Sequence, residues 1–212
     1  MKTREKIVLA ALELFNEHGE RNITTNHIAA HIDISPGNLY YHFRNKQEIV
    51  REIFESYSEE LLERFTPVGT QEEDLVLLKR YMDSVFALMW KYRFFYANLP
   101  EILQRDTILH QKYLAVQEKM QANIASIFKM FIDRDLLKVS EADGKSLVTS
   151  LHLVATSWLS YRAAMSQEAK ITEQIIHQGV LQLISIVKPH ATTAGLEQVQ
   201  LIEDGIKAMH AN

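Results

Sequence analysis

Apolar residues recur every three or four positions along almost the whole chain, and this spacing constrains the fold more than any other feature. Ile7, Ala11, Leu14 and Phe15 follow it in the first segment, as residues on one face of an α-helix do. Only seven glycines and four prolines interrupt the 212 residues, too few for a turn-rich β fold. The sequence has no alternating strand pattern and no internal repeat, so it predicts an all-α protein.

Residues that typically begin or end helices divide this pattern into segments. Gly19 is suited to end the first helix, and Pro100 interrupts the pattern after Asn98. The other predicted helices cover residues 26–32, residues 36 to about 42, a long fourth helix opened by Asn45 and Glu48, a fifth opened by Thr70 and Glu73, residues 107–134, residues 141 to about 165 after Ser140, a helix after Thr172 that ends at Lys188, and residues 196 to about 210.

A break in the helical pattern at Thr66–Gly69 marks the predicted domain boundary. This segment contains both a proline and a glycine, which favour a turn over a continuous helix. The predicted organisation is a three-helix N-terminal domain at residues 1–46, a connecting helix at 47–66 and a larger helical domain at 70–212.

The N-terminal domain has the pattern of a helix-turn-helix. Two short helices meet at a tight joint, Ile32–Ile34, with a longer helix on each side, the arrangement that places a second helix in the major groove of DNA. That second short helix carries Asn38, Tyr40, Tyr41 and His42, whose polar groups can bond to bases or phosphates. The pattern predicts a DNA-binding domain.

The distribution of charge agrees with this prediction. Residues 1–46 contain six Lys and Arg against five Asp and Glu, a net charge of +1, so the remainder carries −5 to give the chain total of −4. The asymmetry is small, but its sign suits a domain that faces DNA.

Composition also excludes several classes of function. The absence of cysteine removes disulfides, thiolate catalysis and thiolate zinc sites. It agrees with a cytoplasmic location, as do the lack of a signal-peptide pattern and of an apolar run near the ~20 residues of a membrane span. His152 and Asp143 lie too far apart on one predicted helix to form a dyad. We therefore expect no enzyme, no catalytic residue, no metal and no cofactor.

The stretch from Ile23 to Lys46 resembles the TetR family of bacterial transcriptional repressors. Its core reads Gly37-x-Leu39-Tyr40-Tyr41-His42-Phe43-x-x-Lys46, one of the more specific helix-turn-helix signatures. The resemblance covers about a quarter of the chain, and the rest agrees in length and helical pattern. It implies a homodimer that binds a palindromic double-stranded DNA operator through the major groove and releases it when a small molecule binds.

The resemblance also implies roles for individual residues. Thr25 would bond to a phosphate, and Tyr41, His42 and Lys46 would hold the DNA backbone. The residues implied to lie near the bases are Asn26, Pro36, Gly37, Asn38 and Tyr40. The chain departs from the family at Asp33, where glycine is usual, and at position 36, where proline removes a potential base contact. Aspartate tolerates the left-handed backbone of such a turn better than most residues do.

Two pairs of aromatic residues in this region have a second interpretation. Tyr40 and Tyr41 could be core residues, but Leu39 and Phe43 already form an inward-facing pair at helical spacing, which leaves at least one tyrosine for another face. His27 and His31 are four residues apart and could bind a metal. Without an HExxH motif or a third acidic ligand, they agree better with a position facing solvent or DNA.

The C-terminal domain is rich in bulky apolar side chains, and most of them must form its core. The family resemblance implies that some line a ligand cavity. The candidate lining residues are Phe86, Met89, Trp90, Phe94, Tyr96, Met120, Phe128, Trp158 and Tyr161. Tyr113 and either His110 or His152 could orient a ligand by hydrogen bonds.

The effector expected from this composition is apolar or amphipathic. Lys and Arg are sparse on the inward-facing stripes of these helices, and a buried anion without a cation carries a large desolvation cost. Arg93 is the one cation amid aromatic residues, so it could meet a carboxylate, or it could point outward.

The last long helices could form a dimer interface or an internal packing contact. Gly179 lies in the middle of a predicted helix and costs ~1 kcal/mol relative to alanine, which a close helix approach would justify. Ile176, Val180, Leu183 and Val187 continue the same stripe. The pattern alone leaves both interpretations open.

The sequence therefore predicts a ligand-responsive repressor. The alternative is a DNA-binding protein controlled by a protein partner, with a filled C-terminal core and no small-molecule effector. A cavity of roughly several hundred Å³ between the helices would favour the first.

Overall fold

The computed structural model describes residues 1–67, 73–165 and 171–209. In these ranges the protein forms ten α-helices and no β-strand, as the sequence predicts. The helices are α1 (Thr3–His18), α2 (Thr25–His31), α3 (Pro36–His42), α4 (Lys46–Arg64), α5 (Asp74–Lys91), α6 (Arg93–Arg105), α7 (Thr107–Asp133), α8 (Glu141–Ala164), α9 (Glu173–Val187) and α10 (Thr193–Ala208).

Most predicted helix starts coincide with observed N-caps. The side chains of Asn45, Ser140 and Thr172 each accept a hydrogen bond from a backbone N–H of the first turn that follows, satisfying a donor that has no intrahelical partner. Glu73 precedes α5 without a capping side-chain bond, and its proposed partner Thr70 lies outside the described residues.

Two boundaries differ from the sequence prediction. α10 begins at Thr193, not near residue 196, because Thr192 provides an N-cap that accepts a hydrogen bond from the Gly195 N–H. Its predicted end near residue 210 lies outside the described residues, since the helix is described as far as Ala208. α6 runs through Pro100, with Asn98 in a non-helical conformation. The predicted interruption is therefore a kink, as expected where proline cannot donate to the preceding turn.

One apolar core runs through the N-terminal helices and much of the larger domain, and a second, smaller cluster lies between α9 and α10. α1 to α4 enclose Ile28, Leu39, Phe43 and Ile49, all of which are fully buried. α4 continues out of this group and packs against α5 and α7 of the larger domain. The connecting helix is thus part of both domains, and any displacement of its C-terminal half also acts on its N-terminal half.

Gly179 is explained by a contact within the chain. A side chain at this position of α9 would lie 2.6 Å from Cδ1 of Trp158 on α8, so only glycine lets the two helices approach this closely. Ile176, Val180 and Leu183 are buried in the same chain. The internal packing interpretation therefore accounts for this stripe without a second copy.

None of the helices in the described part of the chain is both long enough and apolar enough to cross a membrane.

Candidate nucleic-acid interface and internal cavity

The turn between α2 and α3 has the conformation that the helix-turn-helix pattern requires. Asp33 has φ 54°, in the left-handed region that aspartate visits more readily than most residues. Ile34 N–H then donates to the Ala29 carbonyl oxygen at 3.0 Å, and the Ser35 hydroxyl accepts from Asn38 N–H at 3.1 Å. The aspartate in the place of the usual glycine is compatible with the turn.

α3 buries one face and exposes the other. Leu39 and Phe43 are fully buried, whereas Tyr40 is 49% exposed and Tyr41 is 84% exposed. This confirms that the two tyrosines are not core residues. Tyr40 Oη lies 3.0 Å from Thr25 Oγ1 at the start of α2, so the exposed face of α3 is joined to the N-terminus of α2.

The residues proposed to contact DNA cluster around this junction. The exposed members are Asn26, Pro36, Gly37, Asn38, Tyr40 and Tyr41, and the half-buried members are Thr25, His42 and Lys46. The first eight lie on α2 and α3, and Lys46 is the first residue of α4. An exposed surface whose side chains end in polar groups and carry few charges can bond to both bases and phosphates.

The ammonium group of Lys46 is engaged within the protein. It donates to the carbonyl oxygens of Glu20 at 2.8 Å and Ile23 at 3.0 Å and lies 2.8 Å from the Glu20 carboxylate. A lysine has three donors, and these oxygens account for all three. The sequence signature includes Lys46 but gives no indication of this internal role.

Arg4 braces the C-terminal end of α3. Its guanidinium donates to the His42 carbonyl oxygen at 2.9 Å, pairs with Glu52 at 2.8 Å and lies 4.1 Å above the Phe43 ring. Arg4 therefore connects α1 to the end of α3 and to α4.

His27 and His31 have protein partners. His27 Nδ1 accepts a hydrogen bond from the Thr24 N–H, and His31 lies 3.5 Å from the Glu13 carboxylate. Across the described residues no group of three His, Asp or Glu side chains is arranged to hold a metal ion.

Ion pairs connect the N-terminal domain to α6 of the larger domain. The Glu20 carboxylate pairs with Arg105 at 2.7 Å as well as with Lys46, and Arg21 pairs with Glu101. Burial by itself would raise the pKa of Glu20, but the hydrogen bonds and charges of Lys46 and Arg105 outweigh it and hold this pKa below its usual value. Glu20 is therefore ionised at neutral pH and shared by both domains.

A further ion pair connects α4 to the start of α7. Arg51 donates two hydrogen bonds to the Asp106 carboxylate, at 2.7 and 2.9 Å, and Asp106 also accepts from Leu109 N–H as the N-cap of α7. Burial opposes ionisation of Asp106, but Arg51 and these backbone donors lower its pKa. The start of α7 is thus fixed to the connecting helix by a bidentate bond, the strongest geometry for such a pair.

A cavity of about 200 Å³ lies inside the larger domain. It is lined by side chains from α4 to α10, including Tyr57, Leu61 and Phe65 of the connecting helix. Among the described residues that line it, none is Asp, Glu, Lys or Arg. Its wall is almost entirely apolar, so water gains little by filling it and an apolar molecule loses little by entering it.

The structure separates the proposed ligand-binding residues into two groups. Met89, Tyr96, Met120 and Phe128 line the cavity, as does His152. The others lie outside its lining: Phe86 stacks on His177, Trp90 contacts Arg93, Phe94 packs on Phe15, Trp158 donates to the Ile175 carbonyl oxygen, and Tyr161 is exposed.

Arg93 is not part of the cavity wall. Its guanidinium lies 4.3 Å from the Trp90 ring and donates to the Trp90 carbonyl oxygen at 3.0 Å. Of the two interpretations of this residue, the structure favours the outward one.

The polar groups on the cavity wall are few and uncharged. Tyr57 Oη and Tyr96 Oη are hydrogen-bonded to each other at 3.0 Å, and burial raises the pKa of both phenols. Burial lowers the pKa of His152, which favours its neutral form at pH 7. The remaining polar side chains of the wall, none of which the sequence interpretation included, are Tyr81, Gln117, Thr156 and Gln198.

Two family models match the chain. Residues 7–53 match the one described as bacterial regulatory proteins of the tetR family, and residues 56–199 match the one described as bacterial transcriptional repressor. The two matches together span α1 to α10.

Individual proteins agree with these matches. The crystal structure of a TetR-family transcriptional regulator from Marinobacter aquaeolei VT8 is 37% identical with a TM-score of 0.86, and the alignment covers 97% of this chain and 99% of that one. The transcriptional regulator SrpR of Pseudomonas putida is 23% identical over 66% of this chain and 65% of its own length, just under two thirds of that relative. A SmeT–triclosan complex is 20% identical with a TM-score of 0.60, covering 90% of this chain and 92% of that one, and shares the fold.

Proposed function

Because this chain belongs to the TetR family of bacterial transcriptional repressors, we propose that it binds a palindromic operator as a homodimer in the cytoplasm and releases it when a small apolar or amphipathic molecule enters the cavity. Members of this family are regulators and not enzymes. One combination of features carries the proposal: α3 is exposed on one face, and the larger domain contains a cavity with no charged residue in its wall. The wall includes residues of α4, the helix that connects the cavity to the N-terminal domain.

Recognition of the operator is assigned to the face around Tyr40 and Thr25. Asn38 and Tyr40 lie on the exposed side of α3, where a helix in the major groove meets base edges. Tyr41, His42 and Thr25 lie beside them and bond to phosphates. Lys46 takes part through its backbone N–H at the N-terminus of α4, which suits a phosphate oxygen, while its ammonium group holds Glu20.

The geometry of the helix-turn-helix domain favours a dimer. One short recognition helix reads a half-site, and two half-sites about one helical turn apart require two copies related by a twofold axis. α8 exposes Leu153 and Tyr161, and Met165 follows at its end. Exposed apolar side chains at this spacing on one helix are suited to pack against a second copy.

The cavity is assigned to the effector. Its volume of about 200 Å³ exceeds the ~150 Å³ that suffices to hold benzene in an apolar protein cavity. SmeT, which shares this fold, binds triclosan. An apolar or amphipathic molecule of one or two rings suits both the size and the wall.

The effect of a ligand in the cavity is transmitted to the DNA-binding face through α4 and α6. Tyr57 of α4 and Tyr96 of α6 meet at the cavity wall, and an occupant that separates them displaces one helix relative to the other. α6 carries Arg105 and Glu101, which pair with Glu20 and Arg21 of the N-terminal domain. The effector thus shifts an equilibrium between two positions of the N-terminal domain. In only one of them does the distance between the two N-terminal domains of the dimer fit the operator.

The alternative, control by a protein partner without a small effector, predicts a filled core in the larger domain. The cavity of about 200 Å³ is smaller than the several hundred Å³ expected from the sequence. The support for the ligand-responsive proposal is therefore the presence and the apolar wall of the cavity, which a filled core would not contain.

The experiment that tests the proposal is release of DNA by small molecules. A duplex selected by the protein from a random pool is labelled, and fluorescence anisotropy reports its binding while uncharged aromatic molecules are titrated. Ala155 lines the cavity, so Ala155→Phe fills it and is expected to bind DNA but lose the response. Ala142→Phe, at an exposed position of α8, is the control that keeps both. Equal responses in the two variants contradict the proposal.

A further inference from the structure

We propose that the effector is an uncharged, largely apolar molecule with one hydrogen-bond acceptor, and that the hydroxyl of Tyr81 determines specificity by donating to that acceptor. This inference rests on the proposed function of the cavity and assigns its ligand class.

The absence of charge from the wall excludes ionised ligands. No Asp, Glu, Lys or Arg is found among the described residues that line the cavity. Two cations adjoin aromatic residues in the segment 90–94, and both have other partners: Lys91 pairs with Glu60, and Arg93 is bound to Trp90. A carboxylate or ammonium group brought into this space would lose its hydration without gaining a counter-ion, at a cost of several kcal/mol. An uncharged ligand avoids this cost.

The hydroxyl of Tyr81 is a polar group that the protein leaves unsatisfied. Tyr81 is 2% exposed and lines the cavity from α5. Its Oη is the one buried side-chain nitrogen or oxygen in the described residues with no hydrogen-bond partner. Buried polar groups are nearly always satisfied, because an unmade hydrogen bond has a high cost. A ligand acceptor in the cavity supplies the missing partner.

The ring of Tyr81 is fixed while its hydroxyl is free. The ring stacks on Phe65 with centroids 5.9 Å apart and meets the edge of Phe131 at 6.1 Å. A donor whose position is set by packing discriminates between ligands more sharply than a mobile one, since little conformational entropy is lost when the bond forms.

Other polar groups on the wall are less suited to the same role. The hydroxyls of Tyr57 and Tyr96 already have a partner in each other, although the accepting one keeps its own hydrogen. Thr156 donates to the His152 carbonyl oxygen at 2.8 Å. Gln117 and Gln198 also line the cavity, but a side-chain amide has both donors and acceptors, so each tolerates either kind of ligand group. Tyr81 therefore carries the preference.

The test compares three probes of one shape that differ in a single substituent: acetylnaphthalene, ethylnaphthalene and naphthoate, all substituted at the same ring position. Isothermal titration calorimetry measures their binding to the full-length wild-type protein and to Tyr81→Phe. We expect the wild type to bind acetylnaphthalene about tenfold more tightly than ethylnaphthalene, and naphthoate more weakly than either. Tyr81→Phe is expected to bind the ketone and the hydrocarbon within about twofold of each other.

The thermal midpoint of Tyr81→Phe separates this role from a structural one. Removal of a hydroxyl that has no partner leaves the unliganded protein as stable as before or more stable, whereas a hydroxyl with a structural role would lower Tm when it is removed. Ser126→Ala, which removes a hydroxyl at an exposed position of α7 outside the cavity wall, serves as the control and should retain the tenfold preference.

Three results would overturn the inference: a ketone preference that survives in Tyr81→Phe, tighter binding of naphthoate than of the uncharged probes, or no binding of any probe. Release of a DNA duplex by the ketone is measured separately by fluorescence anisotropy. Binding with the expected preference but without release contradicts the proposed regulatory function and leaves the ligand class established.

Discussion

The Arg105 guanidinium lies 2.7 Å from the Glu20 carboxylate, and this bond joins the last turn of α6 to the N-terminal domain across 85 positions of sequence. Glu20 is 5% exposed and also holds Lys46, the first residue of the connecting helix. One buried carboxylate therefore fixes the N-terminal domain to the domain that contains the cavity.

Replacement of Arg105 by methionine is expected to weaken this connection. Glu20 keeps Lys46 but loses its second partner, so the free energy of unfolding should fall by about 1–2 kcal/mol, and the DNA response to a cavity ligand should shrink. Urea unfolding measures the first and fluorescence anisotropy the second. Lys129→Met breaks an exposed pair on α7 and should cost less than about 0.5 kcal/mol. Equal losses in the two variants would contradict the role of Glu20.

Acid should destabilise the wild type through the same group. The pKa of Glu20 is held below its usual value of 4.5, so the folded protein binds this proton less readily than the unfolded chain. The stabilisation is then complete above about pH 5 and is lost as the pH falls through the lowered pKa. Glu20→Gln should be less stable at pH 7 and lose less stability between pH 5 and 3. Parallel stability curves for the two proteins would exclude this linkage.

Lys46→Ala is expected to act on stability more than on the electrostatics of DNA binding. It removes the donor for two carbonyl oxygens and one partner of Glu20, a cost of about 2–4 kcal/mol. Because the ammonium has no remaining donor for a phosphate, the salt dependence of DNA affinity should change by well under the ~1 unit that a lost phosphate contact gives. A full unit would show that the ammonium leaves Glu20 in the complex.

Tyr41→Ala is expected to act on DNA binding more than on stability. The side chain is 84% exposed, so its removal should change stability by no more than about 0.5 kcal/mol. Loss of its proposed phosphate contact should weaken binding about tenfold for all duplexes alike. Thermal unfolding and anisotropy with specific and scrambled duplexes measure the two effects. Unchanged DNA affinity would remove Tyr41 from the interface.

The sequence predicts the helices well because their signals are local. Ser35, Asn45 and Thr172 each cap the turn that directly follows them, and the inward pair Leu39 and Phe43 assigns the faces of α3 before any tertiary contact is known. The helix-turn-helix and its exposed tyrosines follow from these residues.

The cavity and the connections between domains depend on contacts that no local pattern contains. Met89 and Met120 line the cavity while Trp90, the next residue of α5 after Met89, does not. Consecutive helix residues point about 100° apart, and the placement of the neighbouring helices decides which of them meets a gap. Glu20 looks like a solvated residue at the end of a helix until Arg105 is placed beside it. Tyr81 belongs to an ordinary apolar stripe, and only the missing hydrogen-bond partner distinguishes it.

The dimer has a direct test at α8. Leu153 is exposed in the single chain, and Leu153→Glu places a charge on the proposed interface, where it would be buried without a partner. Sedimentation should give about twice 24.5 kDa for the wild type and a monomer at micromolar concentration for the variant. Leu114→Glu, at an exposed position of α7, should remain dimeric. A monomeric wild type contradicts the dimer itself.

The most direct test of DNA recognition by the two N-terminal domains of a dimer is the sequence of the DNA that the protein selects. The wild type is incubated with a pool of random duplexes, bound molecules are amplified over several rounds, and the enriched population is sequenced. We predict an inverted repeat with half-sites about one helical turn apart, and a changed base preference within each half-site when Asn38→Ala is used. Enrichment of a single unpaired half-site, or of no sequence at all, would contradict the account.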